Sequence, residues 1–177
     1  TTASLAADTH RPDELAVYDG APYFRATGAL GRELWKFDGT TASLAADINA
    51  GSGSSDPHEL TVYDGILYFR ANGVEGRFDQ ELWKFDGATA SQVADIRAGS
   101  SGSNPSDFTV FNDVLYFAAE DDAHGEELWT YDGVNPPSLA ADINSGSDSS
   151  NPSNLTVFND ALYFAAKDDA HGEELWT

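Results

Sequence analysis

The sequence consists of four copies of one unit of 46 to 48 residues, and this repetition constrains the fold more than any other feature. The tripeptide Glu-Leu-Trp recurs at spacings of 48, 46 and 47 residues, and Tyr-Phe follows the same period. Between Val114–Thr130 and Ala161–Thr177, fifteen of seventeen positions are identical. Tandem units of this length are typical of propeller blades and related repeat architectures. The four tripeptides begin at Glu33, Glu81, Glu127 and Glu174.

Each unit predicts four short β-strands. In the fourth copy these begin with Leu155–Phe158, an Asn-Asp turn and Ala161–Ala166. A polar loop then leads to the Glu-Leu-Trp strand, and a segment of the SLAAD type closes the unit in the other copies. Asp-Gly pairs between the strands favour tight hairpin turns, because glycine accepts the positive φ that such turns require. No segment of useful length has helical periodicity, so we expect an all-β fold of four-stranded antiparallel units.

Four such units predict a four-bladed β-propeller that forms one domain over residues 1–177. The repeats span approximately 9–47, 48–95, 96–142 and 143–177, and residues 1–8 are the fourth strand of the closing blade. We expect the N-terminal strand Thr2–Asp8 to pair with the C-terminal ELWT, which leaves no open edge there. The alternative is an arc of a larger propeller or an open array.

The motif resembles a known family. The segment ELWKFDGT (Glu33–Thr40), followed by SLAADINAGSGSSDP and LTVYDGILYFRA, is similar to the ELWxxDGT-repeat proteins of bacteria. The resemblance covers the whole chain, but only the first copy carries the full DGT. The layout of each unit is also similar to kelch blades, and a four-bladed ring is similar in architecture to hemopexin-like domains. The resemblance implies this fold and export from the cell, and it implies no reaction.

The amino-acid composition excludes several classes of binding partner and site. Thirty acidic against nine basic residues give a formal charge of −21, which repels nucleic acid and anionic membranes. This acidity fits a secreted, cation-rich setting, and it equally serves solubility. The chain contains no cysteine, which excludes disulfides and thiolate sites, and it has no run long enough to be a transmembrane helix. Because it also lacks methionine, we expect it to be a piece of a longer product.

One candidate metal site lies at the residue before each inner strand. Repeat equivalence places these four residues at one level around the mouth of a propeller channel. Three converging carboxylates repel one another unless a cation lies between them or their side chains turn outward. We therefore consider both a bound axial Ca²⁺ and solvated, splayed side chains. The residues are Glu14, Glu59, Asp107 and Asn154.

A second candidate is the loop DDAHGEE, which occurs in the third and fourth copies. Its dense oxygen ligands suit Ca²⁺, although one histidine with carboxylates also suits Zn²⁺ or Mn²⁺. The first two copies lack the histidine and contain arginine, so a fourfold site is excluded. The alternatives are a solvated turn and a cation site in two repeats only. The ligand candidates are Asp121, Asp122, Asp168 and Asp169.

The sequence predicts a non-enzymatic extracellular or cell-surface module for adhesion, matrix building or assembly, stabilised by Ca²⁺. Its expected partners are other copies of the protein, or extracellular matrix and glycans, without membrane insertion. No catalytic motif is present, and near-identical repeats do not supply the different residues that a catalytic site needs. One alternative is a lectin that stacks sugars on its tryptophans, which otherwise pack between blades. A further alternative is a polysaccharide- or ester-cleaving enzyme. The tryptophans are Trp35, Trp83, Trp129 and Trp176.

Overall fold

The computed structural model describes residues 10–73 and 79–177. These residues form fifteen antiparallel β-strands and no helix, which confirms the predicted all-β class. The strands of the first two repeats are β1 His10–Tyr18, β2 Ala21–Gly28, β3 Gly31–Phe37, β4 Ala42–Ala46, β5 His58–Tyr63, β6 Ile66–Asn72, β7 Gln80–Phe85 and β8 Ala90–Ala94. Those of the last two are β9 Ser106–Phe111, β10 Val114–Asp121, β11 Gly125–Tyr131, β12 Ser138–Ala141, β13 Ser153–Phe158, β14 Ala161–Asp168 and β15 Gly172–Trp176.

The strands form four sheets, one for each repeat. Their orders are β1-β2-β3-β4, β5-β6-β7-β8, β9-β10-β11-β12 and β13-β14-β15. Each sheet is therefore a meander in which sequential strands pair, as the predicted blade requires. Within the described residues the fourth sheet has three strands, and β15 is its last. The predicted pairing of Thr2–Asp8 with β15 involves residues 1–9, which lie outside the described part of the chain, and stays a prediction.

Local sequence explains the short connections. In the first two sheets the turn between the first and second strands is an Asp-Gly pair. The φ angles are 47° for Asp19 and 73° for Gly20 in the first sheet, and 47° for Asp64 and 70° for Gly65 in the second. Positive φ at both central residues is typical of the type I′ hairpin turns predicted for Asp-Gly. The later Asp38-Gly39 turn is closed by the aspartate side chain, because Asp38 Oδ1 accepts hydrogen bonds of 2.8 Å from the amides of Thr40 and Thr41.

The chain divides into two compact units. Unit 1 comprises Thr1–Phe78 and Trp83–Gln92, and unit 2 comprises Asp79–Leu82 and Val93–Thr177. Each unit has an apolar core of residues from facing sheets. The core of unit 1 includes Tyr18, Tyr23, Leu34, Ile48, Leu67, Phe69, Ala71 and Phe85. One core cluster of unit 2 includes Leu128, Leu155, Leu162, Phe164 and Ala166.

Candidate functional site

The four residues predicted at the channel mouth share an unusual backbone conformation. Each lies at a register shift between the first and second strands of its sheet. All four have positive φ, which is uncommon for residues other than glycine and which Asn and Asp tolerate better than most. Bulges that contain such residues redirect the strand locally. The φ angles are 52° for Glu14, 62° for Glu59, 57° for Asp107 and 56° for Asn154.

The carboxylate of Glu14 bonds to the neighbouring repeat. Its Oε2 accepts a hydrogen bond of 3.0 Å from the amide of Glu59, and its Oε1 lies 3.2 Å from His58 Nδ1. Arg25 Nη1 contacts Nε2 of the same imidazole. Because arginine only donates, Nε2 accepts and Nδ1–H donates to Glu14. This arrangement fixes a neutral tautomer, and burial together with the charges of Arg25 and Arg70 lowers the pKa of His58.

A charge cluster surrounds this histidine in unit 1. The buried Arg25 binds both oxygens of Asp13, at 2.7 and 2.8 Å, and Arg32 binds the same carboxylate at 2.5 Å. The hydrogen bond from Arg25 is the main cause of the lowered pKa of Asp13. Because Arg25, which is itself paired with Asp13, donates to Nε2 of His58, that nitrogen has no free lone pair and the imidazole is a structural group.

The two DDAHGEE loops are tight hairpins closed by their first aspartate. Asp121 accepts hydrogen bonds from the amides of Ala123 at 3.0 Å and His124 at 2.6 Å. The ring Nδ1 of His124 lies 2.9 Å from Asp121 Oδ2, and this contact raises the pKa of His124. Asp168 makes the same contacts with the amides of Ala170 and His171 and with the His171 ring.

The second aspartates of these loops differ between repeats. Asp122 lies 2.7 Å from Arg97, which also contacts Glu120 at 2.7 Å. Lys167 takes the place of Glu120 in the fourth repeat, beside Asp168 and Asp169. Within residues 10–73 and 79–177, no group of three or more Asp, Glu, His or Cys side chains has a metal-binding arrangement. The predicted cation sites therefore stay predictions.

A recurring polar contact that the sequence reasoning missed uses the glutamate of Glu-Leu-Trp. Glu33 is fully buried, and Ser55 donates to it twice, from its amide at 2.8 Å and from its hydroxyl at 2.6 Å. The amide of Ile48 adds a bond of 2.8 Å. One carboxylate thus holds both ends of the loop that connects the first sheet to the second. We call this contact the glutamate clamp.

The clamp recurs in the next two repeats. Glu81 accepts bonds from the amide and hydroxyl of Ser103, at 2.8 and 2.5 Å, and from the amide of Ile96 at 3.0 Å. Glu127 accepts bonds from Ser150, at 2.9 and 2.6 Å, and from the amide of Ile143 at 2.9 Å. Burial raises the pKa of Glu33 and of Glu81, and the bonds from their serines act in the opposite direction.

A sequence signal for the clamp was present. In the last three repeats a serine stands two positions before the proline that precedes the first strand of the sheet, at Ser55, Ser103 and Ser150. These serines follow the clamp glutamates by 22, 22 and 23 residues. A buried carboxylate requires several donors, and this constant spacing is the pattern that would have identified them.

The tryptophans pack against their own sheets. A Cβ added to Gly28 would lie 2.5 Å from the Trp35 ring, and one added to Gly73 would lie 2.4 Å from the Trp83 ring. Trp129 is buried, and the Trp176 indole donates a 2.8 Å hydrogen bond to the carbonyl of Ala166. These contacts are made within one sheet, whereas the sequence predicted packing between blades, which stays a prediction.

Neither a protein-family model, nor a curated protein, nor a solved structure matches this chain. Among the described residues, no helix is long and apolar enough to cross a membrane.

Proposed function

We propose that this chain is a non-enzymatic extracellular scaffold module of a bacterial protein, used in adhesion, matrix building or assembly. The observation that carries the proposal is the glutamate clamp. In three repeats the most deeply buried acidic side chain holds the loop to the following repeat. The polar residues that recur in register therefore serve to join repeats, which is what a scaffold requires.

The charge cluster supports a non-catalytic role. A general base needs a free lone pair within reach of a substrate proton. His58 has its acceptor nitrogen at Arg25 and its donor nitrogen at Glu14. Both ring nitrogens of His58 are therefore paired, and this residue is part of the framework. His124 and His171 bond to their own aspartates through Nδ1.

The finer architecture that we propose is a β-propeller in which the four sheets are blades. In this arrangement a strand of the TASLAAD type completes the fourth blade by pairing with β15. Residues Thr2–Asp8 have that sequence and repeat the letters of Thr41–Asp47, which contain β4. In the first sheet β4 pairs with β3, the equivalent of β15.

The test of this function is a glycan array probed with and without Ca²⁺, together with a turnover panel of polysaccharides and esters. We expect no saturable, sugar-specific binding and no turnover, because the tryptophans pack against their own sheets and both ring nitrogens of His58 are paired. Saturable binding of one sugar class would favour the lectin instead. Turnover that survives repurification would favour the polysaccharide- or ester-cleaving enzyme.

Calcium is part of the proposal, and the formal charge of −21 supports it because a divalent cation relieves repulsion among carboxylates. An ion that binds only the folded state raises the melting temperature. We expect millimolar Ca²⁺ to raise it and EDTA to lower it. Identical melting curves under both conditions would remove calcium from the proposal and leave the scaffold role intact.

A further inference from the structure

One peptide bond of the chain joins an aspartate to a proline. This bond, between Asp56 and Pro57, lies in the loop that connects the first sheet to the second. The prolines at the equivalent position of the other repeats follow arginine or asparagine instead. An aspartate carboxylate is separated from its own backbone carbonyl by a single methylene and the Cα, so its attack on that carbonyl closes a five-membered ring. Carboxylates act as nucleophiles in proteins when they are held close to a reacting carbon.

The backbone of Asp56 has an uncommon conformation for a residue before proline. Its φ is 46°, whereas contact with the proline ring ordinarily confines such a residue to extended conformations. The equivalent Asn104 and Asn151 have φ angles of 49° and 51°, so the fold imposes this conformation at each of these loops. A residue other than glycine that is held at positive φ is strained. Lengthening the bond between Asp56 and Pro57 relieves its contact with the proline ring.

Contacts on both sides hold this bond in place. The amide of Asp56 donates a 3.1 Å hydrogen bond to the carbonyl of Arg32. Ser55 is fixed by the glutamate clamp through its amide and its hydroxyl, and Pro57 is fully buried. Strain of this kind persists where the surrounding structure prevents the backbone from relaxing. The folded chain therefore keeps the bond in its strained conformation.

The carboxylate of Asp56 lies beside an arginine. Arg32 Nε is 3.7 Å from Asp56 Oδ1, and the guanidinium is itself held by Asp13 at 2.5 Å. The arginine attracts the ionised carboxylate from one side, and the ionised form is the nucleophilic one. The side chain of Asp56 is 35% exposed, so water and dissolved amines reach it.

We propose that the chain cleaves itself between Asp56 and Pro57. One carboxylate oxygen of Asp56 attacks that residue's own backbone carbonyl carbon, and the bond from this carbon to the Pro57 nitrogen breaks. The nitrogen takes a proton from solvent and leaves as a secondary amine. Asp56 is then a cyclic anhydride at the end of the first fragment. Water opens the anhydride to two carboxyl groups, whereas a primary amine opens it to one amide and one carboxyl group.

The two fragments are expected to stay together after cleavage. The glutamate clamp holds the loop before the cleaved bond, and beyond it Glu14 of the first sheet binds His58 and the amide of Glu59. The reaction occurs once in each molecule and uses no external substrate, so it is compatible with a non-enzymatic module. It rests on the proposed scaffold function only for its use, which is a covalent link to a lysine amine of a neighbouring protein.

Intact-protein mass spectrometry after incubation in mildly acidic and in neutral buffer tests the proposal. We expect fragments of residues 1–56 and 57–177. Cleavage of the folded protein should be at least about tenfold faster than cleavage of the same protein unfolded in guanidinium chloride, because only the folded chain holds the strained bond. Ethanolamine added to the folded protein should form an amide with Asp56 of the first fragment. Equal rates in folded and unfolded protein, or a first fragment that never carries the amide, would overturn the proposal.

Two variants of Asp56 test the nucleophile. Asp56→Asn reproduces the Asn-Pro pairs of the third and fourth repeats, so it keeps the fold, and it should not cleave because the carboxylate is lost. Asp56→Glu keeps the negative charge beside Arg32 but requires a six-membered ring, so it should cleave more slowly by about tenfold or more. Cleavage of either variant at the wild-type rate would indicate a contaminating protease and overturn the proposal.

Asn104→Asp is the matched control within the chain. Residue 104 has a φ of 49°, and its amide donates to the carbonyl of Gln80, which stands where the first repeat has Arg32. This variant gains an Asp-Pro bond of the same conformation without the arginine. We expect it to cleave after residue 104 more slowly than after Asp56, but faster than in the unfolded chain. Cleavage no faster than in the unfolded chain would overturn the part assigned to the strained bond. None of these results bears on the sugar-binding and turnover assays.

Discussion

Glu33-Leu34-Trp35 and Glu174-Leu175-Trp176 have the same sequence and lie on the third strands of their sheets, β3 and β15. In β3, Glu33 and Leu34 are fully buried, and the loop to the next repeat bonds to the carboxylate. In β15 the same two residues are exposed. The difference shows that the following repeat, and not the motif itself, supplies the burial. Each repeat therefore provides one side of an interface, and the following repeat provides the other side.

The largest difference in unfolding free energy is expected between substitutions of Leu34 and Leu175. Leu34→Ala should lower the free energy of unfolding by about 2–5 kcal/mol, because it leaves a cavity in the core of unit 1. Leu175→Ala should change it by less than about 0.5 kcal/mol, because this side chain is exposed. Urea denaturation at low protein concentration measures both. Equal losses would contradict the comparison and indicate that β15 is covered in the monomer.

The second largest difference in unfolding free energy is expected between the clamp glutamate Glu33 and its exposed equivalent Glu174. Glu33→Gln places amide hydrogens against the donors of Ile48 and Ser55, and should cost about 1–3 kcal/mol of unfolding free energy. Glu174→Gln should be neutral within about 0.5 kcal/mol. Ser55→Ala provides an independent check, because it removes the hydroxyl donor and keeps the carboxylate. If Ser55→Ala is neutral, the clamp contributes little to the joint.

The clamp also predicts a pH dependence. Burial raises the folded-state pKa of Glu33 and Glu81 above the ordinary value of 4.5. The folded state therefore holds protons that the unfolded state has released, so these groups contribute most below about pH 4.5. Their contribution is lost as pH rises through the folded pKa. Denaturation of Glu81→Gln between pH 4 and 7 should show the wild-type advantage shrinking as pH rises.

The smallest expected effect compares His58, beside the first clamp, with His171, next to β15. The pKa of His58 is lowered, mainly by burial, so its contribution is present above about pH 6.5 and is lost as pH falls through the folded value. The pKa of His171 is raised by Asp168, so its contribution is present below about pH 6.5 and is lost as pH rises. Proton NMR of the ring hydrogens should give the lower pKa to His58. A reversed order would contradict the hydrogen-bonding scheme around Glu14.

Much of the fold could be predicted from short-range pattern. The four repeats, their strands and the Asp-Gly turns follow from spacing and from the conformational freedom of glycine, which are properties of neighbouring residues. The four residues predicted to precede the inner strands lie within the first strands of their sheets, at register shifts, and their positive φ was not foreseen. Asp107 and Asn154 are residue types that tolerate this conformation better than most, whereas Glu14 bonds to His58 and to the amide of Glu59.

By itself the sequence determined that the chain repeats, that each repeat forms a small antiparallel sheet, and the approximate positions of its strands. Only the tertiary structure decided that Glu33, Glu81 and Glu127 are buried clamps while Glu174 is exposed. The physical reason is that the hydrogen-bond partners and much of the burial come from the adjacent repeat, 15 to 23 residues away along the chain. Residues of identical sequence therefore have different environments, because each environment depends on which other parts of the chain pack against it.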